Sequence, residues 1–177
     1  MKTANAAKLA RAIELYRERY VPIRYKENRL YDGIHRVLSR LITGGSTLCI
    51  ATTKRKDIAV KVLKFLGVET FFAQVYGCGL HRSKSDLLRD ILSDDALTAR
   101  HIVMIGDRDM DFRAAALVGM PSIGVRWGYG TDDGLAIATQ VVETPSELPE
   151  AIERIAQPTN ALDSEITALE GASSRSE

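Results

Sequence analysis

The chain is poor in several things that would have named a function class at once. It has no apolar run long enough to cross a membrane, and no internal repeat. Lys+Arg 24 against Asp+Glu 23 leaves a net charge of +1. No excess of either sign therefore points to nucleic acid or to a membrane surface as partner. Only two cysteines occur, Cys49 inside an apolar stretch and Cys78 in a glycine-flanked one, and their spacing is not C-x-x-C. A reduced, cytoplasmic protein is the expectation. The opening "MKTANAAKLARAIELYRERY" carries basic residues without a continuous apolar core, which is not the pattern of a signal peptide.

What is present is an ordinary globular composition, with 45% apolar and 27% charged residues. At 177 residues the chain is long enough for one domain with its own core.

Residues 4–20 place Leu9, Ile13, Tyr16 and Tyr20 at helical spacing, and "YVPIRYKENRLYDG" reads as a connector. A second helix puts Ile34, Val37, Leu38 and Leu41 on one face and stops at Gly44-Gly45. "TLCIA" (47–51) is a short apolar strand. "KDIAVKVLKFLG" follows as a helix closed by Gly67. "AQVYG" (73–77) is a strand, and Ser83 with Asp86 forms the capping box of the next helix. "HIVMI" (101–105) is the third strand, followed by a short helix from Asp111 to Val118 that ends at Gly119. "PSIGV" (121–125), the loop "RWGYGTDDG", the strand "QVV" (140–142) and the helix "SELPEAIERI" complete the order. The segment after Pro158 is polar, rich in small residues, and reads as a mobile tail.

Strands alternating with helices mean crossovers and a mostly parallel sheet, an α/β Rossmann-like fold with helices on both faces. Ligands in such sheets bind beyond the carboxyl ends of the strands. The first strand ends in Thr52, Thr53 and Lys54. A hydroxyl beside free backbone amides suits a phosphate oxygen, although threonine also serves simply to cap a turn. Lys84 stands in the first turn of a helix, mildly unfavourable there unless an anion is near; a solvated surface lysine is the plainer alternative.

The third strand runs into "GDRDMD", with Asp107, Asp109 and Asp111 alternating. A calcium loop of this pattern wants glycine sixth and glutamate twelfth. Phe112 and Val118 hold those places, which excludes it. A hard ion such as Mg²⁺ accepts one or two carboxylates and keeps its waters. Asp107, tight behind Gly106, suits that role, while Asp109 suits helix capping. A hydroxyl, an ammonium and an acidic pair at successive strand tips make up phosphoryl-transfer equipment.

With those residues in view, the sequence resembles the haloacid dehalogenase superfamily of phosphatases, in its phosphoglycolate phosphatase-like branch. The resemblance runs from about Tyr16 to Ile155 through "LYDGIHRVLSRL", "CIATTK", "HRSKSDLL", "VMIGDRDMDFRAA" and "SIGVRWGYG". Asp32 stands where the family's Y-P-G segment has proline. The resemblance implies Thr52 as the phosphate-binding threonine, Lys84 as the lysine steadying nucleophile and phosphate, Asp107 as a magnesium ligand and Asp111 as its partner. It also implies a nucleophilic aspartate and an acid/base aspartate in a D-x-D-G-T motif on a central strand. No D-x-D-G-T occurs here.

The expected organisation is a remnant cap helix and connector (1–28), an α/β core without its central nucleophile strand (29–156) and a tail (157–177). The chain would then start inside a cap domain. The expected function is that of an Mg²⁺-dependent phosphatase of a small phosphorylated metabolite, inactive as it stands. The alternative is a non-catalytic phosphate- or Mg²⁺-binding module, completing its sheet as an oligomer or with a partner chain. "RWGYGTDD" (126–133) either borders the site, with Trp127 and Tyr129 at its mouth, or is an ordinary glycine-rich loop.

Overall fold

The computed structural model describes residues 8, 11, 12, 14, 15, 24–77, 83–93 and 102–156. Lys8, Arg11, Ala12, Glu14 and Leu15 are helical. The rest of the expected helix over 4–20, Cys78 and the tail after Ala156 lie outside the described residues.

Helix α1 (Ile34–Thr43) buries Val37 and Leu41. Strand β1 (Leu48–Thr52) follows, then α2 (Lys56–Phe65), which buries Ala59 and Leu63. Gly67 ends α2 at φ 69. Its amide reaches Lys64 O at 3.1 Å and that of Val68 reaches Leu63 O at 3.0 Å, the double bond that requires a left-handed residue here. A 3-10 turn at Glu69–Phe71 leads into β2 (Phe72–Gly77). Helix α3 (Lys84–Leu92) opens with the Ser83–Asp86 capping box.

Strand β3 (Met104–Gly106) is shorter and begins later than the apolar pattern 101–105 suggests. Its partner β4 (Ser122–Val125) pairs Ser122 with Met104. Pro121 precedes that register with no N–H to extend the ladder. Helix α4 (Asp109–Ala116) begins two residues earlier than Asp111. The Asp111 carboxylate accepts the Arg108 amide at 3.3 Å and so closes the turn from within. The glycine-rich loop is not all loop: Thr131 caps a short helix α5 (Asp132–Leu135). Strand β5 (Gln140–Val142), a 3-10 turn at Pro145–Glu147 and α6 (Leu148–Ala156) complete the described chain.

Among the described residues all ladders are parallel, but they form two sheets, β1-β2 and β3-β4-β5. Helices on the two faces hold both as one layer. On one face α3 packs Leu87, Leu88 and Ile91 against Met104 of β3, and against Ala51 and Tyr76 of β1 and β2. On the other, α1 and α6 pack Val37, Leu41 and Ala151 against Ile123 and Val125, with Leu48 and Val103 beside them. A third cluster, Ala59, Leu63, Val68 and Val75, joins α2 to β2.

Sharing both cores turns the unpaired edges of β1 and β3 toward each other, with no ladder between them among the described residues. The mark of this is Ile105, the middle residue of β3, which is 37% exposed. An inner parallel strand is normally covered on both faces.

Candidate functional site

One strand tip and the starts of two helices build the site. Asp107 directly follows β3, Asp111 lies in the first turn of α4, and Lys84 opens α3. Parallel strands carry all their carboxyl ends to one side, and a helix packed between two of them begins there. Lys84 Nζ donates to Asp111 Oδ1. Both side chains are close to buried, at 11% and 9% exposure. Lys84 is therefore not a solvated surface lysine: it is held by a carboxylate 27 residues away. The second oxygen of Asp111 takes the Arg108 amide. Gly106 makes this placement possible, since a Cβ there would lie 2.5 Å from Asp111 Oδ2.

Asp107 is fixed from the loop after β4. Its Oδ2 accepts the Tyr129 amide at 2.7 Å. Gly128 lies flat against the Asp107 side chain, with no room for a Cβ. Among the described residues Asp107 Oδ1 has no hydrogen-bond partner, which leaves it open to a ligand. The segment 126–131 thus borders Asp107 through Tyr129, whereas Trp127 packs into the core cluster of Ile123 and Val125.

Tyr31 reaches the same place. Its phenol lies close enough to Tyr129 and to Asp107 to feel both. Burial first, then Tyr129 and Asp107, raises the phenol above its ordinary value of 10.0. Nothing in the sequence pairs residues 31 and 129. Only the fold, returning "LYDG" over the strand tips, brings them together.

Thr52 and Thr53 stand on the other half of the sheet, at the tip of β1 and in the turn after it. The Thr52 hydroxyl accepts the Lys54 amide at 3.2 Å, the geometry of a turn cap. Asp109 begins α4 and pairs with Arg113 at 3.4 Å, one turn along the same helix. Asp32 is exposed in the turn before α1.

The model of one family, haloacid dehalogenase-like hydrolases, matches residues 1–125. The chain belongs to this family. It is 36% identical over 134 residues to a 5'-nucleotidase of Pseudomonas aeruginosa, covering 74% of this chain and 61% of that protein. It is 34% identical to the tyrosine-protein kinase PtkA of Mycobacterium tuberculosis, covering 80% of this chain and 51% of that one. Among solved structures, a predicted phosphatase from Clostridium acetobutylicum superposes with a TM-score of 0.76 at 30% identity, over 81% of this chain and 68% of that one. The chain thus spans between half and two thirds of the length of the first two relatives.

Among the described residues no three His, Cys, Asp or Glu side chains converge. Asp107 offers a free carboxylate oxygen, while both oxygens of Asp111 are engaged. A single open carboxylate oxygen fits Mg²⁺, which takes one or two protein carboxylates and keeps its waters, better than the full oxygen cage of calcium. The sequence contains no D-x-D-G-T. No helix among the described residues is long and apolar enough to cross a membrane.

Proposed function

We propose that this chain carries the phosphate- and Mg²⁺-binding part of a phosphoglycolate phosphatase-like hydrolase acting on a small phosphomonoester, and that these 177 residues alone do not turn it over. Metal dependence is general among phosphatases of the family. The observation that carries the proposal is the nearly buried Lys84–Asp111 pair beside Asp107 at the tip of β3.

Asp107 is the direct Mg²⁺ ligand and Asp111 its partner carboxylate. The ion, when bound, supplies positive charge to the phosphate oxygens. Lys84, held in place by Asp111, presents its remaining ammonium protons to the phosphate. Thr52 and Thr53, at the tip of the other half-sheet, offer hydroxyls and turn amides to its oxygens. What is missing is a nucleophile, and the gap between β1 and β3 is where a strand carrying one would lie. We therefore place that strand on polypeptide outside these residues. Cysteine usage keeps the proposal cytoplasmic, and balanced charge gives no role to nucleic acid or membrane.

The separated half-sheets favour one further reading, from a different class: a non-catalytic phosphate- and Mg²⁺-binding module that completes its fold as an oligomer or with another chain. One preparation distinguishes the two. Phosphate release from p-nitrophenyl phosphate, Mg²⁺-dependent and abolished by Asp107→Asn, would overturn the claim of inactivity. A single defined oligomer with no turnover favours the module. A monomer that gains turnover when an N-terminally extended form is expressed favours the hydrolase.

A further inference from the structure

Positive charge is not spread evenly over this chain. Lys54, Arg55, Lys56, Lys61 and Lys64 fall within one short stretch that holds a single acid, Asp57, while the whole chain nets only +1. All of these side chains belong to exposed residues. Every basic residue of the stretch except Lys54 lines an open cleft of about 780 Å³, in which Val60 is the apolar part of the wall. Gly77, the last residue of β2, closes one end. A Cβ there would lie 2.6 Å from both Lys54 O and Lys56 N, so the start of α2 is seated directly on the strand end. The cleft therefore stands on a packed helix and strand, on the side of the β1-β2 pair away from β3. Neither Lys84, Asp107 nor Asp111 borders it.

The charges of the cleft are only partly matched. Arg55 donates two hydrogen bonds to Asp57, at 3.1 and 2.9 Å, and Lys64 meets Glu69 at 3.6 Å. Among the described residues Lys56 and Lys61 have no carboxylate partner. Their positions on α2 differ by about 7.5 Å of helix rise, close to the repeat of about 6.8 Å between alternate side chains of an extended chain. An extended segment with acids at alternate positions meets both lysines without bending. Nucleic acid suits the cleft less well. No aromatic ring lines it for a base to stack on. Its one guanidinium is already held by Asp57, and that carboxylate repels a phosphate backbone.

We propose that this cleft is a docking surface for an extended acidic segment of a partner protein, with carboxylates at alternate positions. Those carboxylates pair with Lys56 and Lys61, and Val60 gives their methylene stems an apolar surface to lie on. Exposed charge of one sign speeds encounter and selects an acidic partner more than it adds affinity. The surface uses none of the phosphate- or metal-binding residues and stands apart from the reading under Proposed function.

The test is fluorescence anisotropy of a labelled peptide with glutamate at alternate positions and alanine between, titrated with the full chain at low salt and without Mg²⁺. The native chain is expected to bind it, and added salt to weaken the binding. Lys56→Glu combined with Lys61→Glu should weaken it at least about tenfold. Glutamate in the first turn favours a helix, so that loss is not one of folding. Arg36→Glu combined with Arg40→Glu makes the same change of charge at exposed positions of α1, and should leave affinity within about threefold of native. No binding to the native chain overturns the proposal. Equal losses in the two paired variants also overturn it, because the attraction is then one of overall charge. A single-stranded oligonucleotide of equal charge that binds tighter, and is lost with the same lysines, overturns it in favour of nucleic acid. Full displacement of the peptide by an equal concentration of inorganic phosphate overturns it in favour of a simple anion site.

Discussion

Lys84 and Asp111, from two different helices, form an ion pair whose side chains are 11% and 9% exposed. The pair fastens the start of α3 to the start of α4 just beyond the tip of β3. A charge so placed is tolerable only while its partner stays. Lys84→Ala should therefore cost about 3 kcal/mol, because Asp111 is left charged and nearly buried. Urea unfolding of the single variant and of Lys84→Met with Asp111→Leu checks this. The double variant should recover most of the loss, and a cost under about 1 kcal/mol for the single variant would mean that the pair is solvated.

Gly106 faces the same carboxylate. A methyl group there would overlap the Asp111 side chain, whose Cβ lies 2.7 Å from the Cβ position. Gly106→Ala should lower stability by about 1–3 kcal/mol, as overpacking does. An unchanged unfolding midpoint would show that Asp111 can withdraw from the strand at no cost.

The divided sheet has a signature in hydrogen exchange. Strand β4 is paired on both sides, by β3 and by β5. Among the described residues β1 and β3 each have a single partner. Amides of β1 and β3 that point into the gap should exchange much faster than those of β4. Equal protection in all three would mean that another strand, from a second copy or elsewhere, occupies the gap in solution.

Alkaline pH should reach the site through Tyr31. Its phenol is raised above 10.0, by burial first and then by Tyr129 and Asp107, so the folded state favours the neutral form. The unfolded chain ionises first. The contribution is thus complete below pH about 10 and is lost as pH rises through the raised value. Melting temperature followed from pH 8 to 11 should fall less steeply in Tyr31→Phe than in the native chain. Parallel curves would deny that the fold raises the Tyr31 phenol at all.

Local chemistry made much of this fold legible. The Ser83–Asp86 capping box and the stop at Gly67 are decided by residues within one turn of each other, and the helices begin or end there. Apolar periodicity located the buried face of α1, at Val37 and Leu41, for the same reason. Where a boundary depended on a partner, sequence was a poorer guide. β3 is shortened by the register of β4.

At the site, the alternating aspartates and Lys84 stood out by residue type, whereas their pairing did not. The roles of Tyr31, Tyr129 and Gly128 are contacts across long separations, which no spacing announces. Trp127 and Tyr129, two residues apart in one loop, part ways only because the first faces a core and the second faces Asp107.

The most direct test of the account is a thermal melt of the purified chain with Mg²⁺ and inorganic phosphate added singly and together, repeated on Asp107→Asn. A ligand held by the folded state alone raises the melting temperature by mass action. The account predicts a clear rise with both ligands in the native chain and none in the variant. A flat response in the native chain, or an equal rise in Asp107→Asn, would contradict it.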